Sequence, residues 1–213
     1  TAAAGPLSAA YAVLDPQLGD AISVGADLRA ANATVFAEEI HNAFEMPEAD
    51  LYLQVDATRW LRLYVDTSVA GGGVEGREAF AAVDFGRGLG IKAGYLLLPF
   101  GLRVWDDEAF TRRQTGYTFA TPDLGVELGL ERGPFGIFTA VSGGSGGGAD
   151  PDVYKKVSVW SELAWRPFRI GLSGSFNGTD DRSFYAAGPL AGVSLGRLVL
   201  LGEIDWLGTR YLE

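Results

Sequence analysis

The feature that most constrains this fold is a two-residue alternation of apolar and polar side chains along most of the chain. In residues 51–57, Leu51, Leu53 and Val55 fall on one face of an extended chain, and polar residues fall on the other. Because side chains alternate sides along a β-strand, this pattern predicts strands. It recurs at 61–67, 79–85, 89–97, 124–130, 157–165, 168–176, 191–196 and 198–206. With 21–29 and a strand of mixed character at 34–44, the count reaches about twelve strands.

Short and long connections alternate strictly between these predicted strands. The short ones each contain an arginine and lie at 57–59, 86–88, 131–133, 166–167 and 196–197, with 28–32 as a candidate sixth. The long ones lie at 69–77, 98–122, 142–153 and 177–183. Tight turns at one end and long loops at the other are typical of an up-and-down transmembrane β-barrel. A soluble sandwich has Greek-key crossings and lacks this alternation.

The alternation alone leaves open which face of the strands is covered. In a soluble barrel the apolar face turns inward, whereas in a membrane barrel it meets lipid and the charged face lines the interior. Aromatic residues at both ends of the strands favour the membrane barrel, because such barrels carry aromatic girdles at both interfaces. One group is Trp60, Phe85, Phe135, Trp165 and Phe168, and the other is Tyr95, Phe100, Trp206 and Tyr211. The sequence therefore predicts an all-β, antiparallel transmembrane barrel in a bacterial outer membrane.

The strand count raises a question about closure. Counting from the short hairpins puts both chain ends on the long-loop side, whereas bacterial barrels normally keep their ends with the short turns. Two alternatives stay open: the chain is a fragment of a larger barrel, or 21–29 closes the barrel in an unusual way. Residues 1–20 show no strand pattern and are predicted to be an N-terminal extension. Residues 21–213 are then the barrel domain.

Composition and charge exclude several classes of function. The chain has no Cys, which rules out a disulfide framework, a thiolate metal site and a cysteine nucleophile. Its formal net charge is −10, which argues against a nucleic-acid partner because such proteins usually present a basic face. We expect no cofactor and no metal. The expected partners are membrane lipid and small solutes or ions, with further copies of the chain or other envelope proteins as open alternatives.

The charged residues between the apolar positions are predicted to face the barrel interior. These predicted lumen-facing residues are Asp56, Arg62, Asp66, Lys92, Glu127, Glu162 and Arg169. Rings of carboxylates favour cations over anions. Together with the net charge of −10, the inward acids predict a preference for cations.

The connection 98–122 is too long to be a featureless loop inside a compact domain. Its aromatic residues argue against disorder, so we expect it to be ordered and to fold over or into the barrel. Its charges would then form a pore constriction; they are Arg103, Asp106, Asp107, Glu108, Arg112 and Arg113. In this arrangement Arg112 and Arg113 would meet wall acids such as Glu127, and the three acids would meet wall bases such as Lys92. A surface loop covering the barrel mouth is the alternative.

Residues 77–144 resemble the outer-membrane porins related to phosphate-selective porins. The resemblance is carried by "YLLLPFGLRVWDDEAFTRRQTGYTF", then "DLGVELGL" and "GPFGIFTAVSGG". It implies a passive diffusion channel, often trimeric, with an inward-folded loop that sets selectivity. The chain is shorter than the sixteen-strand members and acidic where an anion channel favours a basic lumen, so a phosphate substrate is not carried over.

Two further functions are weighed against a channel. One is a structural barrel that serves as scaffold or partner in a larger envelope complex. The other is an outer-membrane lipid hydrolase, in which the single His41 would act with Ser23 or Ser68. A lone histidine at a strand end is more often structural than catalytic, and we therefore expect the chain not to be an enzyme.

Overall fold

A computed structural model describes residues 21–36, 40–69, 75–102, 115–117, 121–146, 148 and 153–211. The described residues form twelve β-strands. They are β1 (Ile22–Phe36), β2 (Ile40–Thr58), β3 (Leu61–Ser68), β4 (Glu75–Gly86), β5 (Leu89–Leu96), β6 (Asp123–Arg132), β7 (Phe135–Ser142), β8 (Lys156–Trp165), β9 (Phe168–Gly178), β10 (Arg182–Leu195), β11 (Leu198–Glu203) and β12 (Trp206–Tyr211). Within these residues, no helix is long and apolar enough to cross a membrane.

The strands form one sheet in which sequence neighbours are spatial neighbours. The order runs from β1 to β11 without a crossover, and β12 pairs with β10. The predicted all-β, antiparallel, up-and-down fold with about twelve strands is therefore confirmed. Closure of the sheet into a barrel is not among the described pairings, which begin at β1 and end at β11.

The chain divides into two compact units, residues 1–79 and 80–213. In the first unit, β1 and β2 form a long hairpin whose pairing runs from Ile22 opposite Val55 to Phe36 opposite Ile40. The prediction of a candidate turn at 28–32 is therefore wrong, because those residues lie inside β1. The predicted strand at 34–44 likewise includes the end of β1 and the start of β2.

A bulge lies in the β1–β2 pairing within 28–32. Arg29 lies opposite Glu48 and Ala31 opposite Glu45, so two residues of β2 face one residue of β1. One of the two is Pro47, which has no N–H to donate. A bulge is one of the places where a strand tolerates proline for that reason. The pairing shifts by one residue at this point and then continues.

Tight turns join the strand pairs of the second unit at the predicted short connections. At Arg87 and Gly88 both turn residues have positive φ, 58° and 82°, as a type I′ hairpin requires. The other turns lie at 133–134, 166–167 and 196–197. In the first unit, the turn at 59–60 lies close to the predicted 57–59.

Strands β11 and β12 lie one after the other along the same side of β10, and both pair with β10 in the same register. Leu190 lies opposite Glu203 and Ala187 lies opposite Trp206. The residues between them, Gly188 and Pro189, therefore face Asp205 and Ile204. Pro189 accepts a bond from the Ile204 N–H at 3.2 Å but has no N–H to return, which accounts for the interruption.

In the second unit, one face of the sheet carries exposed apolar side chains, whereas the opposite face carries buried polar ones. On β6, Leu124, Val126 and Leu128 are 55%, 45% and 51% exposed. On its other face, Asp123 and Glu127 are only 1% and 2% exposed. Strands β7 to β9 follow the same rule, with most large apolar side chains at least partly exposed and mainly small or polar ones buried; the large Trp160 is the exception. The buried set on these strands is Ala140, Ser142, Ser158, Trp160, Glu162, Ser173 and Ser175.

Candidate functional site

The candidate site is the buried polar face of the second unit, together with the parts of the long connection that pack on it. We call this surface the polar face. Its members are Lys92, Asp123, Glu127, Lys156, Ser158, Trp160, Glu162, Arg169, Ser173, Ser175 and Glu203. They come from alternate positions of β5, β6, β8, β9 and β11, so the pleat of each strand sends them to the same side.

Charges on the polar face are joined in pairs across neighbouring strands. Lys92 lies directly opposite Glu127 in the β5–β6 register, and its Nζ is 3.1 Å from Glu127 Oε1. Arg169 donates from Nε to Glu162 Oε2 at 2.7 Å across β8 and β9. Both carboxylates are buried, so each cation offsets the cost of removing a charge from water.

The first unit carries similar pairs, but they differ in exposure. Arg62 lies opposite Asp56 and donates to it at 2.8 Å, and both side chains are more than a third exposed. Arg77 reaches Asp50 at 2.6 Å, and both of these side chains are largely buried. Asp66, also predicted to face the lumen, is half-buried on β3.

The first part of the long connection folds onto the polar face. Leu98, Pro99 and Phe100 are buried immediately after β5. The indole N–H of Trp160 donates to the carbonyl of Gly101 at 3.0 Å, and the N–H of Leu102 donates to Glu203 Oε2 at 2.6 Å. These two bonds satisfy polar groups that would otherwise be buried without a partner.

A second part of the connection is fixed through Tyr117. Its ring stacks on Phe100 with centroids 4.4 Å apart, and the Lys156 ammonium lies 4.0 Å from the ring centroid. Its hydroxyl bonds to Ser158 Oγ at 3.1 Å and also donates to Ser175 Oγ. Burial raises the pKa of Tyr117 from 10.0 to about 12, because the phenolate would lose its hydration.

Asp123 fixes the neighbouring connection between β7 and β8. Its carboxylate accepts from the N–H groups of Leu124 at 3.0 Å and Gly144 at 2.6 Å. The amide of Asn177 donates to the Gly144 carbonyl at 3.3 Å. The start of this glycine-rich connection is therefore held by side chains from β6 and β9.

The structure describes the predicted wall residues but not the predicted constriction charges. The constriction charges Arg103, Asp106, Asp107, Glu108, Arg112 and Arg113 lie outside the described residues, as does the extension 1–20. The wall residues Lys92 and Glu127 form a salt bridge with each other, and their expected contacts with the loop charges lie outside the described residues. Residues 98–102 and 115–117 pack on the polar face, and the path of the rest of the connection stays a prediction.

The contacts that hold the connection were not anticipated from the sequence. Tyr117, Trp160 and the two serines Ser158 and Ser175 make them. The alternation could have placed Ser158 and Ser175 on the polar face, since both occupy its strand positions. No local pattern pairs either serine with a tyrosine that precedes Ser158 by 41 residues.

The residues weighed for catalysis do not assemble into a described site. Ser68 is buried at the end of β3 and Ser23 is half-buried on β1. His41 lies in β2, and its side chain is outside the described residues. Among the described residues, no three His, Cys, Asp or Glu side chains are arranged to hold a metal ion.

No protein-family model matches this chain, and no curated protein matches it. The resemblance to phosphate-selective porins over 77–144 therefore stays a prediction from the sequence. The contrast in exposure between the two sheet faces is the strongest remaining indication of function.

Proposed function

We propose that this chain forms an outer-membrane β-barrel through which small solutes or ions diffuse passively. The observation that carries the proposal is the inverted burial of the two faces of the strands. Large apolar residues such as Leu128 and Ile170 are about half exposed, whereas Glu127 and Ser158 are almost fully buried. Water is a poor solvent for such an outer face, and hydrocarbon is a good one.

The distribution of aromatic residues supports the same proposal. Phe168 and Phe176 are both exposed, and they lie eight residues apart at the two ends of β9. Eight residues of strand span about 26 Å along the strand, which is about 20 Å along the membrane normal at the usual tilt of about 40°. The apolar band of an outer-membrane barrel is about 25 Å tall and is flanked by aromatic girdles. The two rings would therefore lie close to the two edges of such a band.

The long connection is proposed to narrow the path through the barrel. Support comes from Phe100 and Tyr117, which hold two parts of the connection against the polar face. The segment between these two points carries the charges Arg103, Asp106, Asp107, Glu108, Arg112 and Arg113. Opposed charges at a narrow point would set ion selectivity.

Cations are the proposed permeant ions. On the polar face, Lys92 and Arg169 neutralise Glu127 and Glu162, and the remaining charged members, Asp123 and Glu203 against Lys156, leave a net negative charge. The whole chain has ten more acidic than basic charges. Reversal potentials in a salt gradient test this directly. An anion preference would overturn it and favour the porin resemblance in its phosphate-selective form.

Conductance in planar bilayers tests the channel itself. We expect discrete conductance steps from the purified chain, and larger steps with weaker selectivity after residues 103–118 are replaced by a short Gly-Ser linker. A matched control shortens the connection at 145–153, which should leave the step size nearly unchanged. A chain that inserts into the bilayer but never conducts would contradict the channel.

A structural barrel is the second candidate, and one observation favours it. Side chains and the connection fill the space against the polar face so closely that Leu96, Asp123 and Ser158 are each only 1% exposed. A filled interior would serve as a scaffold rather than a path. Insertion without conductance, both before and after deletion of 103–118, is the result expected of a scaffold.

A further inference from the structure

The turns of the second unit carry a repeated arrangement that the proposed channel does not use. Each turn places an arginine beside large exposed apolar side chains. The arginines are Arg87, Arg132, Arg166 and Arg197, and their exposed neighbours are Phe85, Phe135, Trp165, Phe168, Leu195 and Leu198. We call this set the turn rim. The turn at 59–60 in the first unit repeats it with Arg59 and Trp60.

The turn rim lies at one end of the strands. Because the sheet is an antiparallel meander, the turns after β4, β6, β8 and β10 all close the same end. Successive turns are two strands apart, which is about 10 Å at the usual strand spacing. The rim is therefore a row of arginines at regular intervals, directly beyond a row of exposed apolar side chains that are aromatic at the first three turns and leucines at the fourth.

The rim arginines are exposed and unpaired, unlike those on the walls. Among the described residues, the salt bridges of arginine engage Arg62, Arg77, Arg169 and Arg182 and none of the four rim arginines. The acids at this end are Asp84 and Glu131. Asp84 accepts a hydrogen bond from the N–H of Gly86 at 2.7 Å, and this bond lies at the start of its own turn. The rim thus presents net positive charge on a chain whose overall charge is −10.

We propose that the turn rim binds the anionic phospholipid headgroups of the leaflet at the short-turn end. This inference rests on the proposed membrane location. An aromatic ring prefers the boundary between hydrocarbon and headgroup, which puts the adjacent guanidinium at the depth of the lipid phosphates. Guanidinium forms paired hydrogen bonds to phosphate oxygens. Charge complementarity and continuity with the exposed apolar face select a lipid surface over a soluble anion.

The test compares unfolding in two kinds of vesicle. The full chain is folded into phosphatidylcholine vesicles, or into vesicles with about one-third phosphatidylglycerol, and unfolded with urea. Arg132→Gln/Arg166→Gln removes two rim charges. Arg182→Gln/Arg210→Gln removes two charges from the loop end and is the matched control, while Arg132→Lys/Arg166→Lys keeps the rim charge.

The rim variant should lose stabilisation only where anionic lipid is present. Each arginine near an anionic surface is worth on the order of fivefold in an equilibrium constant, so the glutamine pair should lose about tenfold or more in phosphatidylglycerol vesicles. The loss should be below about twofold in phosphatidylcholine, and it should shrink in about 1 M salt because charges are then screened within roughly 3 Å. The lysine pair should keep most of the effect.

The outcomes separate this inference from the proposed function. If the wild-type chain inserts into both vesicles but the rim and loop-end variants respond equally to anionic lipid, the rim proposal is wrong and the barrel stands. Equal loss in both vesicle types, or competition by inorganic phosphate at millimolar concentration, also overturns it. If the wild-type chain inserts into neither vesicle, both proposals fail.

Discussion

Glu127 and Leu128 are neighbours on β6, yet they occupy opposite environments. The glutamate is 2% exposed and the leucine is 51% exposed. In a water-soluble sheet the order would be reversed, because burial of apolar surface drives folding in water. Under the proposed membrane location, the outer face meets hydrocarbon and the inner face meets the enclosed polar groups, which would explain the contrast. Substitutions on each face test whether the two environments differ in this way.

The largest effect is expected from a charge placed on the outer face. Leu128→Arg should cost about 2–4 kcal/mol of unfolding free energy in a bilayer, because a guanidinium near the midplane loses its hydration. Urea unfolding of the vesicle-embedded chain measures this. Leu195→Arg, at the turn end of β10, is the depth control and should cost only about 0–1 kcal/mol. Equal and negligible costs at both positions would mean that the outer face meets water.

The next effect is expected from breaking a pair on the inner face. Lys92→Met leaves the buried Glu127 without the cation that lies 3.1 Å away. We expect a loss of about 2 kcal/mol, less than for a fully buried pair because water partly screens Lys92. Adding Glu127→Gln should restore at least half of the loss in a double-mutant cycle. Additive costs would show that the two residues do not interact.

A smaller effect is expected at the contact between the connection and the wall. Tyr117→Phe removes the hydroxyl bonds but keeps the stacking on Phe100, and should cost about 1 kcal/mol of unfolding free energy. The two serines lie 3.3 Å apart and can bond each other, which limits the loss. Ser173→Ala, on the same face, removes a hydroxyl that donates to the Gly188 carbonyl at 3.3 Å and serves as a comparison in the same urea titration.

The same tyrosine makes a pH-dependent prediction. Its pKa is about 12 in the folded chain and 10.0 as a free side chain, so folding favours the neutral phenol. This contribution to stability is complete below pH 10 and is lost as the pH rises through 12. Ultraviolet absorbance of the phenolate should show one late-titrating tyrosine that is missing in Tyr117→Phe. Identical titration curves would place Tyr117 in water.

The smallest effect is expected from the exposed pair Asp56 and Arg62. It has the same cross-strand geometry as Lys92 and Glu127, but its side chains are 38% and 53% exposed. Arg62→Ala should therefore cost only about 0.2–1 kcal/mol of unfolding free energy, and less at high salt. A loss as large as that of Lys92→Met would mean that this pair is shielded from water.

The strands and tight turns could be predicted because their signals are local. The alternation around Leu51 and Leu128 is set by the pleat, and the turn at Arg87–Gly88 needs the positive φ that glycine readily adopts. The error at 28–32 has a local cause as well. Alanine and asparagine there weaken the strand pattern, while the pairing that decides the matter comes from β2, across the bulge at Pro47.

The contacts of the site could be predicted only in part. Alternation correctly puts Glu127 and Glu162 on one face, because that depends on position within a strand. It cannot say that Lys92 pairs with Glu127, because that depends on the register between strands. The approach of Tyr117 to Ser158 depends on the path of the long connection, which no periodic signal encodes.

The break in the pairing between β10 and residues 198–211 has a consequence for hydrogen exchange. Pro189 has no N–H to donate to Ile204. As a result, β10 pairs with 198–211 through two separate ladders, one to Leu198–Glu203 and one to Trp206–Tyr211. Either ladder can open while the other stays closed, so the amides of the two halves belong to different opening units. In deuterated buffer they should exchange at two distinct rates, and a Pro189→Ala variant that supplies the missing donor should bring those rates together.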